Sequence, residues 1–281
     1  MRNSMGEGVY IHGFTADEQG RLSRMQELLN EQELVALELD GVDSVLEVGA
    51  GLGQMARAMA RGTRRRVVGV ERDGRQLAAA AALAQRDGES GLVDLRQGDA
   101  TALPLAAAER GTFDLAHARF VLEHVPDPLA VVREMVGAVR PDGGRVVLLD
   151  DDHELLRLWP ALPSVAAAWE AYWKGYRALG CDPLVGRRLV ELLVDAGARP
   201  VRVTTIPYGG CQGTPQFAGV VDNLAGVLTG SADVLDERGV LTRDAIATAI
   251  RELREWAQRP ASTLWYSLPL AEGRRAAAAG R

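Results

Sequence analysis

Three glycines stand at alternate positions, Gly49, Gly51 and Gly53, directly behind the apolar run 44–48 and ahead of an alanine- and methionine-rich stretch, 54–61. A short apolar run reads as a buried strand, and the segment after the glycines has the composition of a helix. Glycine has no Cβ and tolerates positive φ, so a strand that breaks into such a loop lets its backbone approach a ligand closely. Strand, glycine loop and helix start together predict the ligand-binding corner of an open α/β sheet.

The spacing bears on which ligand. A dinucleotide fingerprint places its third glycine three positions after the second, where this chain has Gln54. Glu47, just before the loop, puts negative charge where a pyrophosphate would be repelled, and points to a ligand with a cationic or amino end. The run Glu47 to Gln54 resembles motif I of the class I S-adenosylmethionine-dependent methyltransferases. That resemblance implies S-adenosylmethionine as cofactor, S-adenosylhomocysteine as product, and contacts from Glu47, Gly49, Ala50, Gly51, Gly53 and Gln54.

The following corners fit the same pattern. A second apolar run, 67–70, leads into Glu71 and Arg72. An acid at the second strand tip, roughly twenty residues past the loop, suits two ribose hydroxyls, which need an acceptor-only carboxylate. A weaker strand, 92–97, precedes Gly98, Asp99 and Ala100; in the family an acid here accepts from the adenine amino group and the next backbone amide meets the ring. A fourth strand is expected over 113–116, and the run 119–127 is similar to the family segment that flanks the cofactor, with Arg119, Phe120 and His124 as its contacts. Asp127 before Pro128 predicts a helix N-cap, with the helix reaching residue 139. The turn 141–144 precedes a fifth strand at 145–149.

The resemblance implies an α/β fold: a Rossmann-like, seven-stranded, mostly parallel sheet flanked by helices, with an N-terminal helical lid and helical insertions over the active site. The expected division is a lid at 1–40, a cofactor-binding core at 41–150, and a substrate side at 151–281 that completes the sheet. With 281 residues and 47% hydrophobic content, the chain can bury a full core of that size. A net charge of −6 argues against a nucleic-acid partner. Arg64, Arg65 and Arg66 read as a solvated turn. Lys174 is the only lysine, and with the abundant alanine this points to a GC-rich bacterial genome. Cys181 and Cys211 are far apart and lack metal-type spacing, so a cytoplasmic protein is expected. No stretch has the length of a membrane span, and a monomer or homodimer is anticipated.

Outside the core, 8–35 reads as an entry loop and helix, with Thr15 and Glu18 spaced as a capping box. In the family such a helix closes over the cofactor, which makes Tyr10, Met25 and Gln26 contact candidates. The acids at 150–152 read as loop carboxylates facing water, and no metal is expected. Trp159, Trp169, Tyr172, Trp173 and Tyr176 are dense for a chain only 5% aromatic. The last four share helical spacing, and all five are candidates for substrate binding, with core packing as the alternative for the helical stripe. A strand at 201–206, helices at 183–196, 217–228 and 242–256, and a final strand at 262–268 complete the reading. The helical excursion before the last strand departs from the family's short hairpin.

The implied reaction is methyl transfer to a small acceptor, aromatic or heteroaromatic, at C, N or O. Displacement at a sulfonium depends on alignment and exclusion of water, with a base where the acceptor needs one. His12 and His153 are candidates for that base or for acceptor positioning, ahead of His124. Two alternatives remain open: a non-methylating, pericyclase-like relative that retains the cofactor, and an NAD(P)-dependent oxidoreductase, which the glycine spacing and Glu47 disfavour.

Overall fold

The computed structural model describes residues 29–276. Five strands come first, β1 (Val45–Val48), β2 (Val67–Glu71), β3 (Val93–Gln97), β4 (Leu115–Arg119) and β5 (Arg145–Leu149), followed by β6 (Arg157–Trp159), β7 (Ala198–Cys211) and β8 (Thr263–Arg275). The sheet order is β3-β2-β1-β4-β5-β8-β6, with β7 also paired to β8. β1 to β5 are mutually parallel, and β8 is antiparallel to β5. Seven of these strands are the expected mostly parallel, Rossmann-like sheet. The additional one, β7, lies off that path and pairs with β8. The helices are α1 (29–37), α2 (Gln54–Thr63), α3 (Gly74–Arg86), α4 (Pro128–Ala138), α5 (Pro163–Arg177), α6 (Leu189–Asp195), α7 (Phe217–Glu237) and α8 (Arg243–Ala257).

Contacts divide the chain into two units. The sheet unit takes Asn30–Asp151, Val185–Ile206 and the chain from Pro269 onward; the helical unit takes Asp152–Leu184 and Pro207–Leu268. The segment expected as the substrate side therefore contributes to both.

In the sheet unit, Leu46, Val48, Ala116, Val146 and Leu148 form a continuous core with Val132 and Met135 of α4 and Leu189 and Leu193 of α6. Removing such surface from water contributes about 25 cal/mol per Å². Asp73 caps α3 by accepting from Arg75 N at 2.7 Å. Asp127 caps α4 through Ala130 N at 3.0 Å, with Pro128 at its first position, as the sequence predicts.

Three boundaries differ from expectation for one physical reason. β4 starts two residues later than predicted and runs on through His117 and Arg119, because Leu115 and not Phe113 pairs with Val45. β7 is longer than 201–206 at both ends. β8 extends well past residue 268, and its polar end, Leu270 to Arg274, is the part that pairs with β5. These stretches carry charge into the sheet, and buried partners neutralise it: Glu272 is buried and meets Arg145 at 2.8 Å and Arg202 at 2.8 Å. The predicted helix at 183–196 begins instead as a 3₁₀ turn, Val185–Arg188, before α6. The expected N-terminal helix is helical over 29–37; Tyr10, His12, Met25 and Gln26 lie outside the described residues.

In the helical unit, α5, α7 and α8 pack on one another. Thr242 caps α8 by accepting from Ala245 N at 3.2 Å. α8 buries Ile246, Ala249, Leu253 and Trp256. The Trp256 indole donates to the Pro160 carbonyl at 2.8 Å, so this large ring is buried with its polar atom satisfied. β6 pairs with the first part of β8, Trp159 opposite Thr263.

Candidate active site

The glycine loop has the backbone that its sequence demands. Gly49, Gly51 and Gly53 all have positive φ, at 74°, 53° and 69°. A Cβ at Gly49 would lie 2.3 Å from Val121 Cγ2, and one at Gly51 would lie 3.3 Å from Gln76 Oε1. The backbone N–H groups of Gly49 and Ala50 both donate to the Val70 carbonyl, at 2.8 and 2.9 Å. α2 then starts at Gln54, with Gly53 as a left-handed N-cap that offers no side chain. Its first N–H groups are thus left for loop or ligand.

Glu71 sits at the tip of β2, where the sequence places it. Its two oxygens accept from Gly51 N at 2.9 Å and Asp73 N at 2.8 Å. One carboxylate so ties the glycine loop to the next strand-to-helix turn. Arg72 contributes its carbonyl, which accepts from Gln97 Nε2 at 3.2 Å. Asp99 accepts from the Thr101 hydroxyl at 2.6 Å and Thr101 N at 2.8 Å. Those bonds, with Arg72 nearby, hold the Asp99 carboxyl below its ordinary value. A Cβ at Gly98 would strike the Pro104 ring at 2.6 Å, so the turn that presents Asp99 and Ala100 needs glycine.

The segment after β4 is also built for a special conformation. Phe120 has φ of 54°, a left-handed backbone that a bulky residue adopts only when its surroundings impose it. Asp150 supplies part of that constraint by accepting from Val121 N at 3.0 Å and Leu122 N at 2.8 Å. Asp150 is wholly buried, contrary to the reading of 150–152 as water-facing acids; Asp152 is buried too. Burial, with Glu123 and Asp151 close by, raises the Asp150 carboxyl well above the ordinary range. His124 is partly exposed and lies 3.4 Å from Glu123.

Arg119 differs most from expectation. It does not stand free toward a ligand: Glu33 of α1 pairs with its guanidinium, and the same nitrogen donates to Asn30 Oδ1 at 3.0 Å. Glu33 also meets His117 Nε2 at 2.8 Å. Glu47 is buried on the same sheet face as His117, its register partner, with Oε1 3.9 Å from His117 Nδ1. Its Oε2 has no hydrogen-bond partner among the described residues. Sequence reasoning missed Glu33, Asn30, His117 and Asp150. The one signal available was the alternation of His117 and Arg119 with alanines in an otherwise apolar strand.

In the helical unit, α5 brings three of the five expected aromatics together. Trp169 and Tyr172 have ring centroids 5.1 Å apart, and Tyr172 stacks on Tyr176 at 5.9 Å. His153 packs against them, 5.1 Å from Trp169 and 5.4 Å from Tyr172. It is fixed at two points: Trp169 Nε1 donates to its carbonyl at 2.6 Å, and its Nδ1 lies 2.9 Å from the Tyr266 hydroxyl. Tyr266, on β8, was not anticipated. Trp159 stands apart, 64% exposed, and Trp173 faces Lys174 and Arg177, at 5.6 and 5.9 Å from its ring.

An open, mostly parallel sheet with a glycine loop at the first strand and acids at the next two strand ends defines an α/β nucleoside-binding domain. A family model described as "Methyltransferase domain" matches residues 46–147. The chain is 30% identical over 133 residues to a demethylmenaquinone methyltransferase of Lactococcus lactis, covering 47% of this chain and 48% of that one. It is 31% identical over 145 residues to a 27-O-demethylrifamycin SV methyltransferase of Amycolatopsis mediterranei, covering 52% of each. The chain thus spans about half the length of these curated relatives. Among solved structures, a putative methyltransferase from Bacillus halodurans superposes with a TM-score of 0.55 at 18% identity, over 91% of this chain and 98% of that one. The similarity over residues 46–147 is to a methyltransferase domain, whose methyl donor is S-adenosylmethionine. The residues present fit that cofactor: a glycine cradle that side chains would fill, and a buried Glu47 oxygen left for a donor.

Proposed function

We propose that this protein transfers a methyl group from S-adenosylmethionine to a small aromatic or heteroaromatic acceptor, a natural product of phenolic or indole type, at C, N or O. The supporting observations are the aromatic cluster of Trp169, Tyr172, Tyr176 and Tyr266 around His153 in the helical unit and, in the sheet unit, a glycine loop with positive φ at all three glycines. The similarity to a 27-O-demethylrifamycin SV methyltransferase supports the natural-product class.

The cofactor supplies an electrophilic methyl on a sulfonium, so the chain's task is to bind, orient and keep water out. Gly49 to Gly53 admit the methionyl part, Glu47 takes its amino end, Glu71 accepts from the ribose hydroxyls, and Asp99 accepts from the adenine amino group. His153 is the candidate base or positioning group on the acceptor side. Its bond to Tyr266 fixes the ring and couples its tautomer to the phenol. Among the described residues no helix is long and apolar enough to cross a membrane. Cys181 is buried and Cys211 exposed, in different segments of the chain, and such isolated cysteines suit a reducing cytoplasm.

The test is incubation of the purified protein with isotopically methyl-labelled S-adenosylmethionine and a panel of phenols, indoles and aromatic polyketides. Label in a product of one added methyl is the expected result. Tight S-adenosylhomocysteine binding with no transfer to any acceptor, and rearrangement of an acceptor instead, would replace this reading with the non-methylating one.

A further inference from the structure

Glu47 lies in a closed group of acids and bases within the sheet unit. Facing it are His117 and Arg119 from β4, Glu33 from α1, Glu71 from β2 and the backbone N–H of Ala56 from α2. Burial pushes the Glu47 carboxyl up to about 8; Arg119 opposes this, while Glu33 and Glu71 add to it. Glu33 behaves oppositely: burial alone would raise it, but Arg119 and His117 hold it below the ordinary range. Arg119 is bonded to Glu33, and its pull on Glu47, the largest influence against burial there, does not offset it. Glu33 and Arg119 are paired and cancel, and with Glu71 also facing it, a protonated Glu47 spares the group a further uncompensated negative charge.

We propose that docking of the cofactor's ammonium group at Glu47 expels the Glu47 carboxyl proton to solvent, and that Glu33 is the positioning residue that keeps that proton in place beforehand. The proposal rests on the cofactor assignment of the glycine loop. The step balances: the carboxylic O–H bond breaks, its proton passes to buffer, and the carboxylate left behind receives the ammonium. The total charge of the group is the same before and after. The orphaned Glu47 Oε2 is the atom that gains a partner.

A consequence for affinity follows by linkage. Below about pH 8 each bound ligand displaces a proton, so the association constant rises about tenfold per pH unit, and it flattens where Glu47 is already ionised. The experiment is isothermal titration of the whole protein with S-adenosylhomocysteine at about pH 6.5, in buffers of low and high ionisation enthalpy. The slope of the observed enthalpy counts protons, and release of about one per ligand is expected. Glu33→Gln removes the charge that holds the proton and frees Arg119, so its count should fall toward zero while ligand still binds. A conservative role for Glu33 in packing α1 would lower melting temperature and leave the count unchanged. Binding by wild type with no proton release, or an unchanged count in Glu33→Gln, overturns the proposal. Absence of any S-adenosylhomocysteine binding overturns the cofactor assignment and the proposal together, an outcome that the wild-type titration alone distinguishes.

Discussion

Glu71 Oε2 accepts the backbone N–H of Gly51 at 2.9 Å, joining the tip of the second strand to the middle of the glycine loop. The acid proposed for the ribose therefore also shapes the loop that admits the methionyl chain. Glu71→Ala should weaken S-adenosylhomocysteine binding by about 1.5–3 kcal/mol, the range for hydrogen bonds to a charged group. The melting temperature should fall as well, though without loss of a cooperative transition, because the Gly51 and Asp73 N–H groups lose their acceptor. Titration calorimetry and thermal melts on the same preparation check both halves, and a collapse of the melt would make Glu71 structural.

Gly49 and Gly51 should fail in different ways. Gly49→Ala places a methyl 2.3 Å from Val121 Cγ2 at a positive φ, and overpacking with strain of this kind costs about 1–3 kcal/mol. Gly51→Ala meets only the end of the Gln76 side chain. Its cost in stability should be about 1 kcal/mol, with the larger loss in cofactor affinity. Denaturant melts and ligand titrations on the two variants separate them, and micromolar binding by Gly51→Val would count against the loop as the methionyl site.

Glu272 offers a test by pH. Burial alone would raise its carboxyl, but the Arg145 bond and the charges of Arg145 and Arg202 hold it below the ordinary value. A depressed pKa means stability that is fully present above the unfolded value and is lost as pH falls through the folded one. Glu272→Gln should destabilise near neutral pH by less than the loss of about 3–5 kcal/mol for a fully buried pair, because Arg202 keeps Glu38 at 2.9 Å and Arg145 keeps the Leu37 and Glu38 carbonyls. The gap to wild type should close on acidification below the ordinary carboxylate range. Urea melts across that range measure it, and a constant gap would contradict the ion-pair account.

The aromatic cluster can be probed without emptying it. Tyr266→Phe keeps the ring but removes the hydroxyl 2.9 Å from His153 Nδ1. Stability should fall by no more than about 0.5–1.5 kcal/mol, while turnover and its pH profile change and cofactor affinity does not. Trp169→Ala is the contrast: it truncates a buried ring and should cost about 3–5 kcal/mol. An unaltered turnover and pH profile in Tyr266→Phe would place the cluster in the core alone.

The cofactor corner was legible because its constraints are local. Glycine spacing, the acid at the end of 67–71 and the Gly98-Asp99 turn each depend on a few adjacent residues, and each takes the expected place. The buried charges were illegible because their justification is long-range. His117 and Arg119 look unlike strand residues until Glu33 meets them from 84 and 86 positions away. Glu272 looks like a solvated tail until Arg145, 127 residues earlier, is placed against it. Among the aromatics, helical spacing identified Trp169, Tyr172 and Tyr176 as one face. It could not reveal Tyr266, which arrives from a strand, nor that Trp173 turns toward cations instead.

Val121 presses a methyl into the space where Gly49 lacks one, so the two positions share a single volume. That sharing dictates the order in which descendants of this chain can change. While position 121 carries valine, every side chain at 49 meets a clash, so 49 is closed to drift. Shrinkage at 121 must come first, and it opens a void beside the cofactor loop before any compensating residue can arrive. Lineages should therefore cross from one arrangement to the other rarely, and the pair will act as a ratchet that holds the loop's shape while the surrounding sequence turns over.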